Sequence, residues 1–294
     1  MKENLSAFVY FAGWRLVRWL PEKTAYTIAY ALADYLVKRN GKSVVRFRSN
    51  LSRTQESISS TDLDALLKKA MRSYMRYWVD TFRFPDWSMQ RVRETVTVTN
   101  EHLLTDAIAS KTGVIVSLPH AGNWDHAGAY FCGKGIHLVT VAERLKPEKL
   151  FLKFLKYRQD MGMEVLSLDS ETIGILATRL REGHLVALVA DRDLSKSGIQ
   201  VQLFGGPTRM PAGPAVLALQ TNAPLITAFV SYTSDGIHVE FRNVEIPLQG
   251  DQKDRVRNIV ETTAKHFEDG IRRHPYDWHM LQRIWIDGDF KERS

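Results

Sequence analysis

Cysteine is almost missing from this chain: Cys132 is the only one in 294 residues. An intramolecular disulfide, an iron–sulfur cluster and any multi-thiolate zinc site are thereby excluded, and the count fits a reducing cytoplasm. Long apolar runs are missing too. The most apolar stretch near the start, Leu5 to Trp14, is ten residues long and meets Arg15 and Arg18 at once. A membrane-spanning helix needs about 20 apolar residues, so this one is too short. Lys2 and Glu3 make a weakly positive start without a clean small-x-small cleavage site, which argues against a signal peptide. No Gly-x-x-x-x-Gly-Lys loop, dinucleotide fingerprint or His-Glu-x-x-His cluster is present, so no cofactor and no catalytic metal are expected. Without a Gly-x-Ser-x-Gly elbow, a covalent acyl-enzyme is not suggested either.

What is present is a folded composition, 44% hydrophobic and 25% charged. Forty Lys and Arg against 33 Asp and Glu leave a net charge of +7, which favours anionic partners. The basic residues are dispersed and no nucleic-acid signature stands out, so a nucleic-acid partner is not expected.

Helical periodicity dominates the first third. Leu5, Phe8, Val9, Leu16, Trp19 and Leu20 recur at helical spacing until Pro21, and a second set from Tyr26 to Val37 stops at Asn40-Gly41. Thr61-Asp62 opens a longer helix through Tyr77 and Trp78 to Phe84, closed by Pro85. From Thr95 onward, short β-branched runs alternate with helical ones: Thr95–Val98, Gly113–Leu118, His137–Val141, Leu185–Ala190, Pro224–Tyr232 and Ile237–Phe241. Such alternation predicts an α/β fold, and the last two runs read as an antiparallel hairpin. The expected architecture is a mixed, mostly parallel central sheet flanked by helices, with a helical N-terminal extension. One domain is the economical reading over 1–294, with a helical, membrane-facing part over 1–90 and an α/β core over 91–294.

The strongest local signal is Ser117-Leu118-Pro119-His120-Ala121-Gly122-Asn123-Trp124-Asp125. It places His120 at the carboxyl end of a strand, where open α/β sheets bind ligands, and Asp125 in the first turn of the following helix. A neutral imidazole can take a proton from a hydroxyl, and a carboxylate on its other nitrogen fixes the tautomer. The bland alternative is a loop histidine that merely caps a helix.

His-x4-Asp on a strand-to-helix turn, with Asn123-Trp124 inside it, resembles the signature of glycerolipid and lipid A acyltransferases. Further blocks are similar to the actinobacterial subfamily that acylates phosphatidylinositol mannosides. They are Ala12-Gly13-Trp14-Arg15-Leu16-Val17-Arg18, Arg72-Ser73-Tyr74-Met75-Arg76-Tyr77-Trp78, and Val141-Ala142-Glu143-Arg144-Leu145-Lys146-Pro147-Glu148. Ala190-Asp191-Arg192-Asp193-Leu194, Arg209-Met210-Pro211-Ala212-Gly213-Pro214 and Asp277-Trp278-His279-Met280-Leu281-Gln282 follow in the same order.

The resemblance implies that acyl-CoA, palmitoyl-CoA in the family, donates its chain to a mannose hydroxyl of phosphatidylinositol mannoside. The family supplies the 6-hydroxyl of the mannose on inositol position 2. His120 would be the general base and Asp125 its orienting partner, with N–H groups near Gly122 and Asn123 as candidate oxyanion donors. Asp191, with Arg192 as partner for its charge, is read as a second acidic neighbour of His120 or an acceptor-sugar contact. Glu143, also at a strand end, would hold the site network or the sugar. The resemblance puts Arg158 in the helix Pro147–Asp160 at the acyl-CoA site, with Ser197 and Gln220 as further contacts. His279 and Cys132 are read as structural.

A double-tailed acceptor must be met at a bilayer. Trp14 and Trp19 beside Arg15 and Arg18 have the mix expected of a helix lying in an anionic interface. Their alternative is packing on the protein. The expected place is therefore peripheral, on the cytoplasmic face of the membrane. Competing readings are a lipid A-like enzyme with another glycolipid acceptor, and a basic binding module without catalysis.

Overall fold

A computed structural model describes residues 12–143, 148–195 and 197–287. Leu5, Phe8, Val9 and the run Arg144 to Pro147, all invoked above, lie outside the described residues. A first helix, α1 (residues 12–19), leads into α2 (Glu22–Arg39), α3 (Lys42–Ser52) and α4 (Ser60–Arg83). Asn40 ends α2 in the left-handed conformation (φ 47°), as its sequence suggested, and the Ser59 hydroxyl caps α4 by accepting from Asp62 N–H. The apolar faces of α2, α3 and α4 close on Phe47, Leu51, Leu67 and Met71.

The remaining elements alternate. They are α5 (Met89–Glu94), β1 (Val96–Thr99), α6 (His102–Ala109), β2 (Val114–Leu118), α7 (Trp124–Gly133), β3 (Leu138–Ala142) and α8 (Glu148–Asp160). Then come β4 (Glu164–Ser167), α9 (Thr172–Arg181), β5 (Leu185–Val189), β6 (Ile199–Leu203) and β7 (Gly206–Met210). Last are α10 (Gly213–Thr221), β8 (Leu225–Tyr232), β9 (Ile237–Val244) and α11 (Gln252–Arg273).

Seven strands form one sheet in the order β1-β9-β8-β2-β5-β3-β4. Every neighbouring pair is parallel except β8–β9. The expected mixed, mostly parallel sheet is what the chain forms. Strand residues alternate between two cores: Ile115, Val139, Val186 and Leu225 face α9, α10 and α11, whereas Val114, Val116, Leu185 and Ile226 face α6 and α7. Both faces are covered, which is why β2 reads as a continuous apolar run and is wholly buried.

Three strands escaped sequence reading. β4 is four residues long, and β6–β7 is a separate hairpin turning on Phe204-Gly205, both at positive φ. That turn geometry normally announces itself as Asn-Gly or Asp-Gly. Arg209 and Met210, which begin one of the blocks quoted above, end β7, and α10 starts only at Gly213.

Candidate functional site

The parallel register Leu118↔Val189 aligns the carboxyl ends of β2 and β5. His120 and Asp191 each lie two residues beyond that last pair, so the pairing that builds the sheet also brings them together. Asp191 is fully buried, and its Oδ1 lies 2.6 Å from His120 Nδ1. Its Oδ2 accepts the His120 backbone N–H at 3.0 Å and the Trp278 indole N–H at 2.9 Å. Burial pushes the Asp191 carboxyl toward protonation, but the charge of His120 and these donors outweigh it and hold it below the usual carboxylate range. With Nδ1 committed, Nε2 is the imidazole nitrogen left without a protein partner among the described residues. The His120 side chain is 26% exposed.

The carboxylate on the imidazole is therefore Asp191, not Asp125. Asp125 is buried in the first turn of α7, where its Oδ1 accepts from Arg158 Nε of α8 at 2.8 Å and its Oδ2 accepts the Tyr77 hydroxyl of α4 at 3.1 Å. The physical reason is the helix: once α7 starts at Trp124, the Asp125 side chain is aimed across to α4 and α8. Burial works against the Arg158 charge, yet the Asp125 carboxylate overrides it and raises the guanidinium above its ordinary value. Burial and the same carboxylate push the Tyr77 phenol up. Asp125 still reaches the histidine indirectly. Tyr77 stacks on Trp124 at 4.5 Å between centroids, and Trp124 stands edge-on to His120 at 5.5 Å.

Arg192 does not pair with Asp191. Its Nη1 is buried with no hydrogen-bond partner among the described residues. Glu143 is exposed just past β3, the strand beside β5, and so shares the rim with His120 and Asp191. Ser197 lies in the exposed loop before β6, bonded to Ser195 Oγ at 2.8 Å. Gln220 is set apart. It is exposed in the last turn of α10, which runs back to the start of β8, the sheet edge opposite His120. The acyl-CoA contact carried over to it has no counterpart at this rim.

The Gly122 N–H, an expected oxyanion donor, is already spent on the Asp277 carbonyl at 2.9 Å. Gly122 holds φ +57°, and a Cβ there would fall 2.6 Å from the Val230 carbonyl oxygen. His279 donates its backbone N–H to the His120 carbonyl at 2.7 Å, while its Nε2 meets Ser73 Oγ at 3.0 Å. Ser73 donates to Asp277 Oδ1 at 2.7 Å. Burial pushes Asp277 up to about 6, and burial together with the His120 charge pushes His279 down to about 3. Cys132 is half-buried against the α7 core, and burial raises its thiol to about 11, which suits a packing role. Ser73, Tyr77 and Trp278 had no assigned role, although all three lie in blocks the resemblance had marked.

Below this rim, between α7 and the sheet, lies an apolar cavity. It is lined from Leu118 and Val189 at the strand ends down to Leu138 and Leu185 at their starts, about 13 Å at a strand rise of about 3.3 Å per residue. Trp124, Asp125 and Arg158 border it, Phe131 and Phe241 lie among its walls, and its volume is about 70 Å³. Among the described residues no group of three His, Cys, Asp or Glu is disposed to hold a metal ion.

Three comparisons bear on this geometry. Residues 1–286 match the sequence profile of the bacterial lipid A biosynthesis acyltransferases. The chain is 39% identical over 280 residues to a phosphatidylinositol mannoside acyltransferase of Mycolicibacterium smegmatis, covering 94% of this chain and 90% of that protein. It is 36% identical over 285 residues to the protein of the same name from Mycobacterium tuberculosis, covering 95% and 88%. Family match and site chemistry agree: this chain is an acyltransferase and belongs to the bacterial lipid A biosynthesis acyltransferase family.

Proposed function

We propose that this enzyme moves a palmitoyl-type chain from acyl-CoA to a mannose hydroxyl of phosphatidylinositol mannosides, the 6-hydroxyl of the mannose on inositol position 2. The observation that carries the reading is the His120–Asp191 pair with Nε2 unbonded, on the rim above an apolar cavity bordered by the Trp124 that stands edge-on to His120. Support for the acceptor comes from the two mycobacterial relatives and their names.

In this mechanism His120 Nε2 takes the proton of the sugar hydroxyl as its oxygen attacks the thioester carbonyl. Asp191 stays ionised, keeps the proton on Nδ1 and stabilises the imidazolium. Collapse of the tetrahedral intermediate expels the CoA thiolate, which takes the proton back from Nε2. The apolar cavity below suits the part of the acyl chain next to the carbonyl, and Arg158, tied to Asp125 at its border, holds that wall in place. Glu143, exposed on the same rim, suits a contact with acceptor hydroxyls, and Ser197 a contact with CoA. Acyl-CoA is a co-substrate, and the reading calls for no other cofactor.

The same reading puts the enzyme on the cytoplasmic face of the membrane as a peripheral protein. No helix among the described residues is long and apolar enough to cross a bilayer. The surface that suits a bilayer differs from the expected one. Trp14 is buried against Phe82 and Tyr157, and Arg18 is paired with Asp86. Trp19 is 82% exposed, and Ile28, Leu32 and Tyr35 form an exposed apolar stripe along α2, with Lys23, Lys38 and Arg39 near its ends.

The test is thiol release from palmitoyl-CoA by purified protein, with and without phosphatidylinositol mannoside, beside His120→Ala. Release that needs both the acceptor and His120 supports the proposal. Release with another glycolipid alone would move the acceptor, and full transfer by the variant would overturn the base.

A further inference from the structure

The segment 277–279 grips the loop that carries His120. Its backbone takes Gly122 N–H and gives His279 N–H to His120, and Trp278 forms an antiparallel bridge with Ala121. In the middle of this grip the Trp278 side chain, with 0% exposure, ends on a carboxylate rather than a carbonyl: its Nε1–H donates to Asp191 Oδ2 at 2.9 Å.

We infer that Trp278 is a positioning residue for the transfer reaction, its indole N–H fixing the Asp191 carboxylate in the orientation that serves His120. The inference rests on the reading of His120 as base.

A carboxylate can rotate about its Cβ–Cγ bond and present either oxygen in several directions. At Asp191, Oδ2 is pinned by two N–H groups from different segments, His120 backbone and Trp278 indole, so Oδ1 alone is left to meet Nδ1. The indole has a second effect. Each N–H donor stabilises the ionised carboxylate, so Trp278 also helps to hold Asp191 in the charged form that partners Nδ1.

The other groups facing His120 do not compete for this role. His279, from the same segment, stays neutral in its buried site. Asp277 directs its carboxylate to Ser73 and the Tyr232 N–H. The Asp125–Arg158 pair lies beyond the Trp124 ring.

Trp278→Phe keeps an aromatic ring in the core and removes only the donor. We expect the His120 titration, followed by NMR of labelled histidine without substrates, to differ from that of the wild type. The acid limb of kcat/KM should move with it, and kcat should fall about tenfold. An unmoved His120 titration with a lowered Tm would overturn the inference and leave Trp278 a packing residue. A second measurement needs no variant. In the wild-type protein the Trp278 indole N–H resonance should shift through the His120 titration, and an indifferent resonance would overturn the inference equally. Neither titration involves substrate, so failure here is separable from failure of the base reading, which shows as acyl transfer independent of His120.

Discussion

Removing the Asp125 carboxylate separates two roles that one carboxylate near a histidine can play. In Asp125→Ala the Arg158 guanidinium, 19% exposed, is left with no counter-charge, and the Tyr77 hydroxyl loses its acceptor. Breaking a buried pair from one side costs about 3–5 kcal/mol. Partial exposure of Arg158 puts this site at the lower end, about 3 kcal/mol. With an unfolding entropy of about 2.1 cal/mol/K per residue, that lowers Tm by about 5 °C in a chain of 294 residues. Arg158→Met alone should cost a similar amount, since it strands a carboxylate. The double variant should recover about 2 kcal/mol, because neither charge is then buried alone.

Asp191→Asn should behave in the opposite way. It is nearly isosteric, so folding should change little, while thioester transfer falls by about 10²–10⁴ through loss of the imidazolium's partner. Thermal melts and thiol release on the four variants decide the matter. If Asp125→Ala keeps the wild-type Tm and abolishes transfer, while Asp191→Asn keeps transfer, the assignment of partners here is refuted.

Other consequences follow from the same geometry. At Gly128 a Cβ would come within 2.4 Å of the Met163 methyl, a flexible end that would be pushed into the apolar cavity. Gly128→Ala should therefore shift preference toward shorter acyl-CoA donors by about tenfold, and an unchanged chain-length profile would count against that cavity holding the acyl chain. Ile28→Glu with Leu32→Glu, at exposed positions of α2, should leave the melt nearly unchanged and weaken sedimentation with anionic vesicles about tenfold or more. Equal sedimentation would remove α2 from the membrane surface. Burial pushes His279 down to about 3 and His126 to about 4, so below about pH 6.5 the unfolded chain binds two protons that the folded one refuses. Asp277, pushed up to about 6, opposes this by taking a proton in the folded state first, leaving a net loss of about 2.5 kcal/mol from pH 7 to pH 5; equal denaturant midpoints at the two pH values would contradict it.

The sheet was legible because its central strands are short apolar runs bounded by turns, and the observed ends of β2 and β5 fall within a residue of those read from the sequence. Asp191 was named, but its place was not settled, because parallel pairing joins residues 71 apart in sequence and leaves no local signal. One regularity could have pointed to it. His120 and Asp191 stand within a residue of the same distance past the apolar runs of their strands, as adjacent parallel strands in register require. Trp278 is further still from His120 along the chain, and Ser73 lies well before it; they reach it only through the C-terminal segment and α4. Gln220 shows the limit of transferring a role along a motif. A helix that leaves the rim carries its last turn to the far edge of the sheet, whatever its first turn touches.

Three aspartates close to one histidine have three different sets of partners, and for two of them the partners set opposite protonation. Asp191, buried but met by three N–H groups and the charge of His120, is held ionised. Asp277, equally buried but met by one hydroxyl and one N–H, is pushed up to about 6. Asp125 has a guanidinium and spends its charge on tying α7 to α8 and α4. Only the first arrangement gives a permanent charge on Nδ1 while leaving Nε2 to exchange a proton. An aspartate at the Asp277 position of this network, facing the same imidazole, would itself take up the proton near neutral pH and leave the base without support. Donor count, more than proximity to the histidine, sets which of the three can assist transfer.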